Sequence, residues 1–431
     1  MESLSKFGPE LRRRRLAAGM TLDGLAARVH YSKAQLSKVE TGRQRPAPEL
    51  ARLCDVAVGA QGALAALAQP GRSPAQPSRR LVMTAGAASA LALGVPSAAA
   101  SAPSVPTAMR PSTAEAAAEA MGGQLLDGVQ ALFEQFRRLG QTAPAAAVLP
   151  GLAAQTRSLP ALADASGTRT ARGLYVLASR YAEFTGWMAQ ESGDDTGALA
   201  WTEHAVQLAE AAGDHDLAAY SLVRRGLITL YAGDAQSTVE LVQAAQSNRL
   251  PARIRGLAAQ REAQGHALAG DRDACMRALD RARSLLGRPA GADADGLPVV
   301  GTTHLGDPAA MTVGWCLLDL GLPRQAAEAL DREVARIPCH AVRSRVRYGA
   351  RRALAHAVAG EIDHACAITR PLLSEGEALA SATIRVDLRR LSRVLARHRR
   401  NAAVRALAPE LAAALHDTAH PVPVREAAPR V

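Results

Sequence analysis

The sequence predicts an all-α protein, and three observations carry this prediction. Hydrophobic residues make up 48% of the chain but aromatic residues only 3%, so alanine and leucine dominate the core and favour helices over strands. The first 60 residues place apolar side chains at helical spacing. Further along, turns of glycine and an acid recur regularly, which is typical of stacked helix pairs. We therefore expect a small helix-turn-helix bundle, a linker and an α-solenoid.

The first 68 residues contain signals for four short helices. Pro9 lies in the first turn of the first helix, which ends at Gly19, and Thr21 is the N-cap candidate of the second. A three-residue turn leads to Ser32, the N-cap candidate of the third helix, which ends at Gly42; a fourth follows the segment RQRP. Each is too short to be stable alone, so we expect one shared core. Its predicted members are Leu22, Leu25, Ala26, Val29, Leu36, Val39, Leu50, Leu53 and Val56.

The second and third predicted helices form a helix-turn-helix, whose second helix fits the major groove of B-DNA. The polar residues on the outer face of that helix are Lys33, Gln35, Ser37 and Lys38, and Arg43 and Arg45 follow it. Lysine and glutamine bind base edges, whereas loop arginines contact phosphates. The chain has three lysines, all within its first forty residues. The alternative interpretation is that these polar residues are only the solvated face of a small helical bundle.

The stretch LRRRRLAAGMTLDGLAARVHYSKAQLSKVETGRQRP closely resembles the phage-repressor, or Cro-type (XRE), helix-turn-helix family. The resemblance implies a DNA-binding domain at residues 7–68 with its recognition helix at 32–41. It also implies a partly buried ion pair between Arg15 and Glu40. The family often has glutamine at the phosphate contact that opens the second helix; this chain has Leu22 there, and Thr21 is the substitute. The resulting DNA-binding set is Thr21, Ser32, Lys33, Ala34, Gln35, Ser37, Lys38, Arg43 and Arg45.

Residues 69–111 are rich in alanine, proline and serine, which is typical of a linker. Within them, SRRLVMTAGAASALALGVPSAAA has the composition of an export signal, yet it follows the predicted DNA-binding domain. Three interpretations remain open. The segment is a mobile linker, a helix near residues 81–93 docked on the next domain, or a single inner-membrane span at residues 81–100. We expect the linker.

Residues 112–417 contain the recurrent turns. Glycine precedes an acid at positions 193, 213, 233, 270 and 360, and position 321 fits the same frame. Position 213 falls between helix pairs, and the intervals from 193 to 233, from 233 to 270 and from 321 to 360 are 40, 37 and 39 residues, as in helix-turn-helix solenoids. The larger gap from 270 to 321 contains a loop insertion. The pattern resembles degenerate tetratricopeptide repeats. We expect about six helix pairs from Ala114 to His416, with Asp271 capping a helix, and a disordered tail at residues 418–431.

A solenoid presents a concave groove, and we expect it to bind a peptide, protein or small-molecule effector, to dimerise, or both. The alternative is a purely architectural domain. Six aromatic residues fall in the first two predicted repeats. We expect them to be core residues, and the alternative is that some of them line a ligand site: Tyr175, Tyr181, Trp187, Trp201, Tyr220 and Tyr231. Near the end, Arg385, Arg389, Arg393 and Arg397 step by four. They form a solvated stripe, a second polyanion contact, or a dock for the acidic middle of the chain.

The net charge of +11 is concentrated at the two ends of the chain. Residues 1–80 contain 14 Lys and Arg against 6 Asp and Glu, and residues 340–431 contain 16 against 8, which places a polyanion partner at the ends. The five cysteines are odd in number and widely spaced, as expected of reduced thiols in the cytosol. Because the sequence contains no P-loop, GxGxxG, nucleophile elbow or metal-ligand cluster, we expect no enzymatic activity, cofactor or metal.

These patterns together predict a cytoplasmic, nucleoid-associated bacterial transcription regulator. We expect it to bind double-stranded DNA as a homodimer, with its activity modulated through the repeat domain. The alternative is an adaptor that binds other proteins through its repeats and for which DNA binding is secondary. One form of this alternative places the adaptor at the membrane through residues 81–100.

Overall fold

The structure, a computed structural model, describes residues 6–68, 113–287 and 298–416. Every regular element in these ranges is a helix, which confirms the predicted all-α class for the described part of the chain. The export-like segment and the predicted tail at 418–431 lie outside the described residues. Within the described ranges, no helix is both long enough and apolar enough to span a membrane.

The amino-terminal bundle has one helix more than predicted. Its helices are α1 (Phe7–Ala17), α2 (Leu22–Val29), α3 (Lys33–Glu40), α4 (Pro48–Ala57) and α5 (Ala63–Ala68). The additional helix is α5, which begins where the carboxylate of Asp55 accepts hydrogen bonds from the backbone N–H groups of Leu64 and Ala65. Asp55 is far from the usual N-cap position in sequence, so no local signal marks this cap.

The core of the bundle is close to the predicted one, with one error. Leu25, Leu36 and Leu50 are fully buried, but Val56 is 43% exposed. A helix turns once every 3.6 residues, so successive steps of three drift away from the core. From Leu50 the buried stripe of α4 therefore continues to Cys54, which is completely buried, and not to Val56.

Fourteen helices follow in the described ranges. They are α6 (Thr113–Thr142), α7 (Ala145–Asp164), α8 (Thr168–Ser192), α9 (Asp195–Ala211), α10 (Asp216–Tyr231), α11 (Ala235–Gln243), α12 (Ala252–Ala269), α13 (Arg272–Leu286), α14 (Pro308–Asp319), α15 (Pro323–Val334), α16 (Val342–Val358), α17 (Ile362–Leu379), α18 (Ala382–Leu395) and α19 (Ala402–His416). Taken two by two they number seven, against about six predicted, and the first and last of these, α6–α7 and α18–α19, contain no glycine-acid turn.

The predicted glycine turns have the expected geometry. All six turn glycines between Gly193 and Gly360 have φ between 72° and 93°, a conformation that glycine adopts without steric cost. The acid that follows then caps the next helix in several turns. Asp194, Asp234 and Asp271 each accept a hydrogen bond from a backbone N–H three residues later, as predicted for Asp271.

The helix pairs curl until the two ends of the array meet. Helix α16 packs against α6, and α18 packs against α8. The Arg343 guanidinium donates to the carbonyl oxygens of Gly140 and Ala143 and lies 3.1 Å from the Glu191 carboxylate. Glu191 also accepts hydrogen bonds from the hydroxyls of Ser381 and Thr383. The sequence predicted a concave groove, and the inner side of this curl surrounds a cavity.

The bundle docks on the turn side of the repeats. A Cβ added to Gly270 would lie 2.9 Å from the Cβ of Ala65, and one added to Gly321 would lie 3.1 Å from the carbonyl oxygen of Arg52. Residues of both regions share one hydrophobic cluster, including Leu53 of α4 and Leu318 of α14. The two regions therefore pack directly against each other.

The arginine steps near the carboxy terminus divide between two roles. Helix α18 ends at Leu395, so Arg397 lies in the short 3₁₀ turn that follows. Its guanidinium carbon lies 3.7 Å from the centroid of the Tyr31 ring, in the bundle. Arg389 and Arg393 are exposed. One arginine of the series thus contacts the bundle and these two form a solvated face.

Candidate nucleic-acid interface

The position of α3 is fixed by contacts with α1. Arg15 Nε lies 2.6 Å from Glu40 Oε1, and Arg15 Nη2 donates to Glu40 Oε2 at 3.0 Å, with side chains only 9% and 7% exposed. A third guanidinium N–H donates to the carbonyl oxygen of Met20 at 2.7 Å. A Cβ on Gly8 would lie 2.5 Å from the carbonyl oxygen of Val39, so glycine allows the two helices to approach closely. No pattern in the sequence marks Gly8 as a contact between helices.

A hydroxyl caps the N-terminus of each helix of the helix-turn-helix. Thr21 Oγ1 accepts a hydrogen bond from the Gly24 N–H at 3.0 Å, and Ser32 Oγ accepts one from the Gln35 N–H at 3.2 Å. Both are N-caps, and both are exposed. Each hydroxyl keeps its own proton, which can be donated to a phosphate oxygen beside the helix N-terminus.

The outer face of α3 is exposed and polar. Ala34, Ser37 and Lys38 are exposed and Gln35 is half-buried, so the helix presents this side to solvent. Lys33 Nζ lies 2.7 Å from Asp23 Oδ2 of α2, with both side chains at least 60% exposed. Exposed pairs of this kind contribute little stability and exchange partners readily. Lys33 therefore stays available to a stronger polyanion.

The loop after α3 adds positive charge to the same end of the bundle. Arg43 and Arg45 are exposed, and Gly42 precedes them with φ of 72°. The docking contacts of the bundle lie in the turn before α3, at His30 and Tyr31, and further along at Arg52 and Ala65, not on the outer face of α3. The predicted reading face is thus uncovered while the bundle is docked.

The remaining predicted candidates lie in the repeat domain. Trp187 and Tyr220 line the enclosed cavity, whereas Trp201 and Tyr181 are core residues. Tyr175 donates a hydrogen bond to Asp164, and Tyr231 is stacked edge-on against Trp315. In the described ranges, no three histidine, cysteine or acidic side chains are grouped as metal ligands would be.

A second group of cations lies inside the curl and was not predicted from the sequence. Arg261 and Arg347 line the cavity together with four other arginines. No sequence signal distinguishes them, since all basic residues except three lysines are arginines. Their common location follows only from the closure of the repeats.

Comparison with known proteins agrees with the amino-terminal geometry. The family model described as "Helix-turn-helix domain" matches residues 6–68, about a seventh of the chain. Neither the curated proteins nor the solved structures contain a match to this sequence. The amino-terminal region is therefore a helix-turn-helix domain, while its phage-repressor subclass and the tetratricopeptide character of the repeats stay predictions.

Proposed function

We propose that the protein is a sequence-specific DNA-binding transcription regulator whose operator is read by α3. The observation that carries this proposal is the uncovered polar face of α3 within a matched helix-turn-helix domain. The buried Arg15–Glu40 pair supports it, because base readout requires a helix held rigidly on its scaffold. The regulator works in the cytoplasm, associated with the nucleoid.

The proposed contacts divide into two classes. Lys33 and Lys38 are five residues apart, or about 7.5 Å along the helix axis. Both are exposed on the side of α3 away from the buried Leu36 and Val39, so both reach base edges from a helix inserted in the major groove. Arg43 and Arg45 lie beyond the end of α3 and contact the sugar-phosphate wall. Thr21 and Ser32 donate to phosphates at the two helix N-termini.

The active form is a homodimer. Two helix-turn-helix domains related by a two-fold axis read half-sites about 34 Å apart, one turn of the duplex. The repeat domain provides the dimer contact, and the cavity inside its curl receives an effector that changes operator affinity. An effector acts in this way only if it binds one conformational state more tightly than the other.

The test separates base readout from basicity. The operator is first identified by genome-wide occupancy, and binding of the full-length protein to operator and scrambled duplexes is then measured at several salt concentrations. Lys38→Ala removes a base contact, so it should cost about 1–3 kcal/mol on the operator and flatten the discrimination between the two duplexes. Arg43→Ala removes a phosphate contact, so it should weaken both duplexes alike and reduce the salt slope by about one.

The two variants serve as controls for each other, since each removes one cation from the same face. If Lys38→Ala lowers both affinities by the same factor, α3 does not read bases. If the unmodified protein does not distinguish any occupied site from scrambled DNA, the regulator proposal is wrong.

A further inference from the structure

The curl of the repeat domain encloses a cavity with a volume of about 150 Å³. A cavity of about this size holds a benzene molecule when it is lined by apolar side chains. Six aromatic rings contribute to its wall, from Phe133, Phe184, Trp187, Tyr220, Trp315 and Tyr348. The space therefore fits a small planar ring.

The charge of the lining does not match that of a simple apolar core. Six arginines but only one carboxylate, that of Glu183, line the cavity. The segment between the two basic ends of the chain carries more acids than bases, so this excess of arginine is local. Buried cations without counter-charges are costly, so such an arrangement favours a site that awaits an anion.

Four of these arginines already have structural partners. Arg343 pairs with Glu191, and Arg224 lies 3.3 Å from Glu183. Arg137 and Arg180 donate to the segment at residues 298–303, which belongs to the insertion predicted between positions 270 and 321. These four shape the cavity wall and attach the segment that covers it.

The other two, Arg261 and Arg347, form no ion pair with a carboxylate among the described residues, although one N–H of Arg261 donates to the side-chain oxygen of Gln264. Each has a buried Nε with no hydrogen-bond partner, and so does the indole Nε1 of Trp315. The guanidinium carbon of Arg347 lies 5.5 Å from the Trp315 ring centroid and 6.0 Å from that of Tyr348. All three orphaned atoms are N–H donors, which only an acceptor can satisfy.

The two arginines also repel each other. Burial and the charge of Arg347 lower the pKa of Arg261 to about 10. The pKa of Arg347 is raised despite its burial, because Tyr231, Tyr348 and the carboxylates of Glu191 and Asp387 favour its charged form, so Arg261 is the cation that lacks a counter-charge. A bound carboxylate would offset both effects on Arg261, since it supplies the opposite charge and accepts hydrogen bonds from planar guanidinium groups.

We propose that this cavity binds a small aromatic carboxylate, with its carboxylate held by Arg261 and Arg347 and its ring packed against the aromatic wall. The claim that this ligand is the effector of the regulator rests on the proposed function. The claim that the cavity binds this ligand does not rest on it, because the site is built entirely within the repeat domain.

The test titrates the full-length protein with benzoate by calorimetry, without DNA. Benzamide is the matched control, because it has the same ring and nearly the same shape but no charge. We expect benzoate to bind and to change the tryptophan fluorescence, since Trp187 and Trp315 line the cavity. Benzamide should bind at least about tenfold more weakly, as expected when a charge-assisted hydrogen bond is lost.

Two variants locate the site. Arg261→Gln and Arg347→Gln should each weaken benzoate at least about tenfold, whereas Arg277→Gln, on the exposed side of α13, should leave the affinity unchanged. A thermal melt checks that each variant folds. If a cavity variant does not fold, the benzoate–benzamide comparison on the unmodified protein still decides the question.

Several results would overturn the proposal. They are absence of benzoate binding at about 10 mM, equal affinity for benzamide, binding of inorganic phosphate in place of benzoate, and unchanged affinity in both arginine variants. If benzoate binds through both arginines but operator binding is absent, the cavity proposal stands and the DNA-binding proposal fails.

Discussion

The helix-turn-helix domain and the repeat domain both contain a buried ion pair, but the two pairs connect the chain over different distances. Arg15 and Glu40 are 25 positions apart, within one small bundle. Arg343 and Glu191 are 152 positions apart and join the two ends of the curl. The first pair orients one helix, whereas the second closes an entire array.

The cations of the two regions differ in the same way. Lys38, Arg43 and Arg45 are exposed, as suits a surface that meets a long polyanion and exchanges its counterions. Arg261 and Arg347 are surrounded by aromatic rings inside the curl, as suits one small anion held in a fixed place. Exposed cations therefore suit a DNA surface, whereas cations inside the curl suit a small anion.

The largest expected effect comes from removing the acid of each buried pair. Glu40→Ala and Glu191→Ala each leave an arginine buried without its counter-charge, which costs about 3–5 kcal/mol. If the two regions are held as described, Glu40→Ala should raise hydrogen exchange in residues 7–68 only. Glu191→Ala should raise it in α6, α8, α16 and α18 and should abolish benzoate binding.

The matched control is Asp23→Ala, which removes the acid of the exposed Lys33 pair. This variant should leave exchange unchanged throughout the described residues, because exposed pairs stabilise little. Increased exchange across both regions in either buried-pair variant would show that they unfold as one unit, and the comparison would fail.

A smaller effect tests the docking of one region on the other. Gly321 and Gly233 have φ of 81° and 78°, so alanine should cost about 1–2 kcal/mol at either position. At Gly321 the new Cβ also meets the backbone of Arg52 at 3.1 Å, whereas at Gly233 nothing lies within 4 Å. Gly321→Ala should therefore cost about 1–3 kcal/mol more.

The measurement is the free energy of unfolding of both variants by chemical denaturation. Gly233→Ala isolates the backbone strain, so the difference between the two variants reports the packing of the bundle against the repeats. Equal losses would show that the domains do not press together at Gly321.

The helix-turn-helix could be predicted because its signals are local. The bonds of the Thr21 and Ser32 caps span three residues, and Leu25 and Leu36 are buried as their spacing predicts. The glycine turns of the repeats are local in the same sense. The error at Val56 has a local cause too, since a step of three approximates 3.6 only over short distances.

The cavity and the docking surface could not be predicted because they depend on distant contacts. Nothing near Arg347 in the sequence indicates that it faces Arg261, 86 positions earlier. Similarly, Gly321 was read as a turn, which it is, but its contact with Arg52 depends on the path of the whole array. Periodicity describes each pair of helices and does not fix how far successive pairs rotate.

The smallest expected effect concerns the pH dependence of docking. His30 packs against Gly360, and burial and the charge of Arg324 lower its pKa. His398 lies on the same contact, where burial, Arg397 and His30 lower its pKa as well. A histidine whose pKa is lowered in the folded protein binds a proton less tightly there than in the unfolded chain, so protonation favours the unfolded chain. Docking should thus lose stability as the pH falls below about 6.5, the ordinary histidine value, and should not change above it.

The unfolding free energy measured across this range should show the loss, and His30→Asn should reduce its pH dependence. Asparagine suits this position because His30 has φ of 52°, a left-handed conformation that asparagine tolerates. His215→Asn, at an exposed position away from the bundle, is the matched control and should keep the full slope. If the two variants retain the same pH dependence, protonation at this contact does not weaken docking.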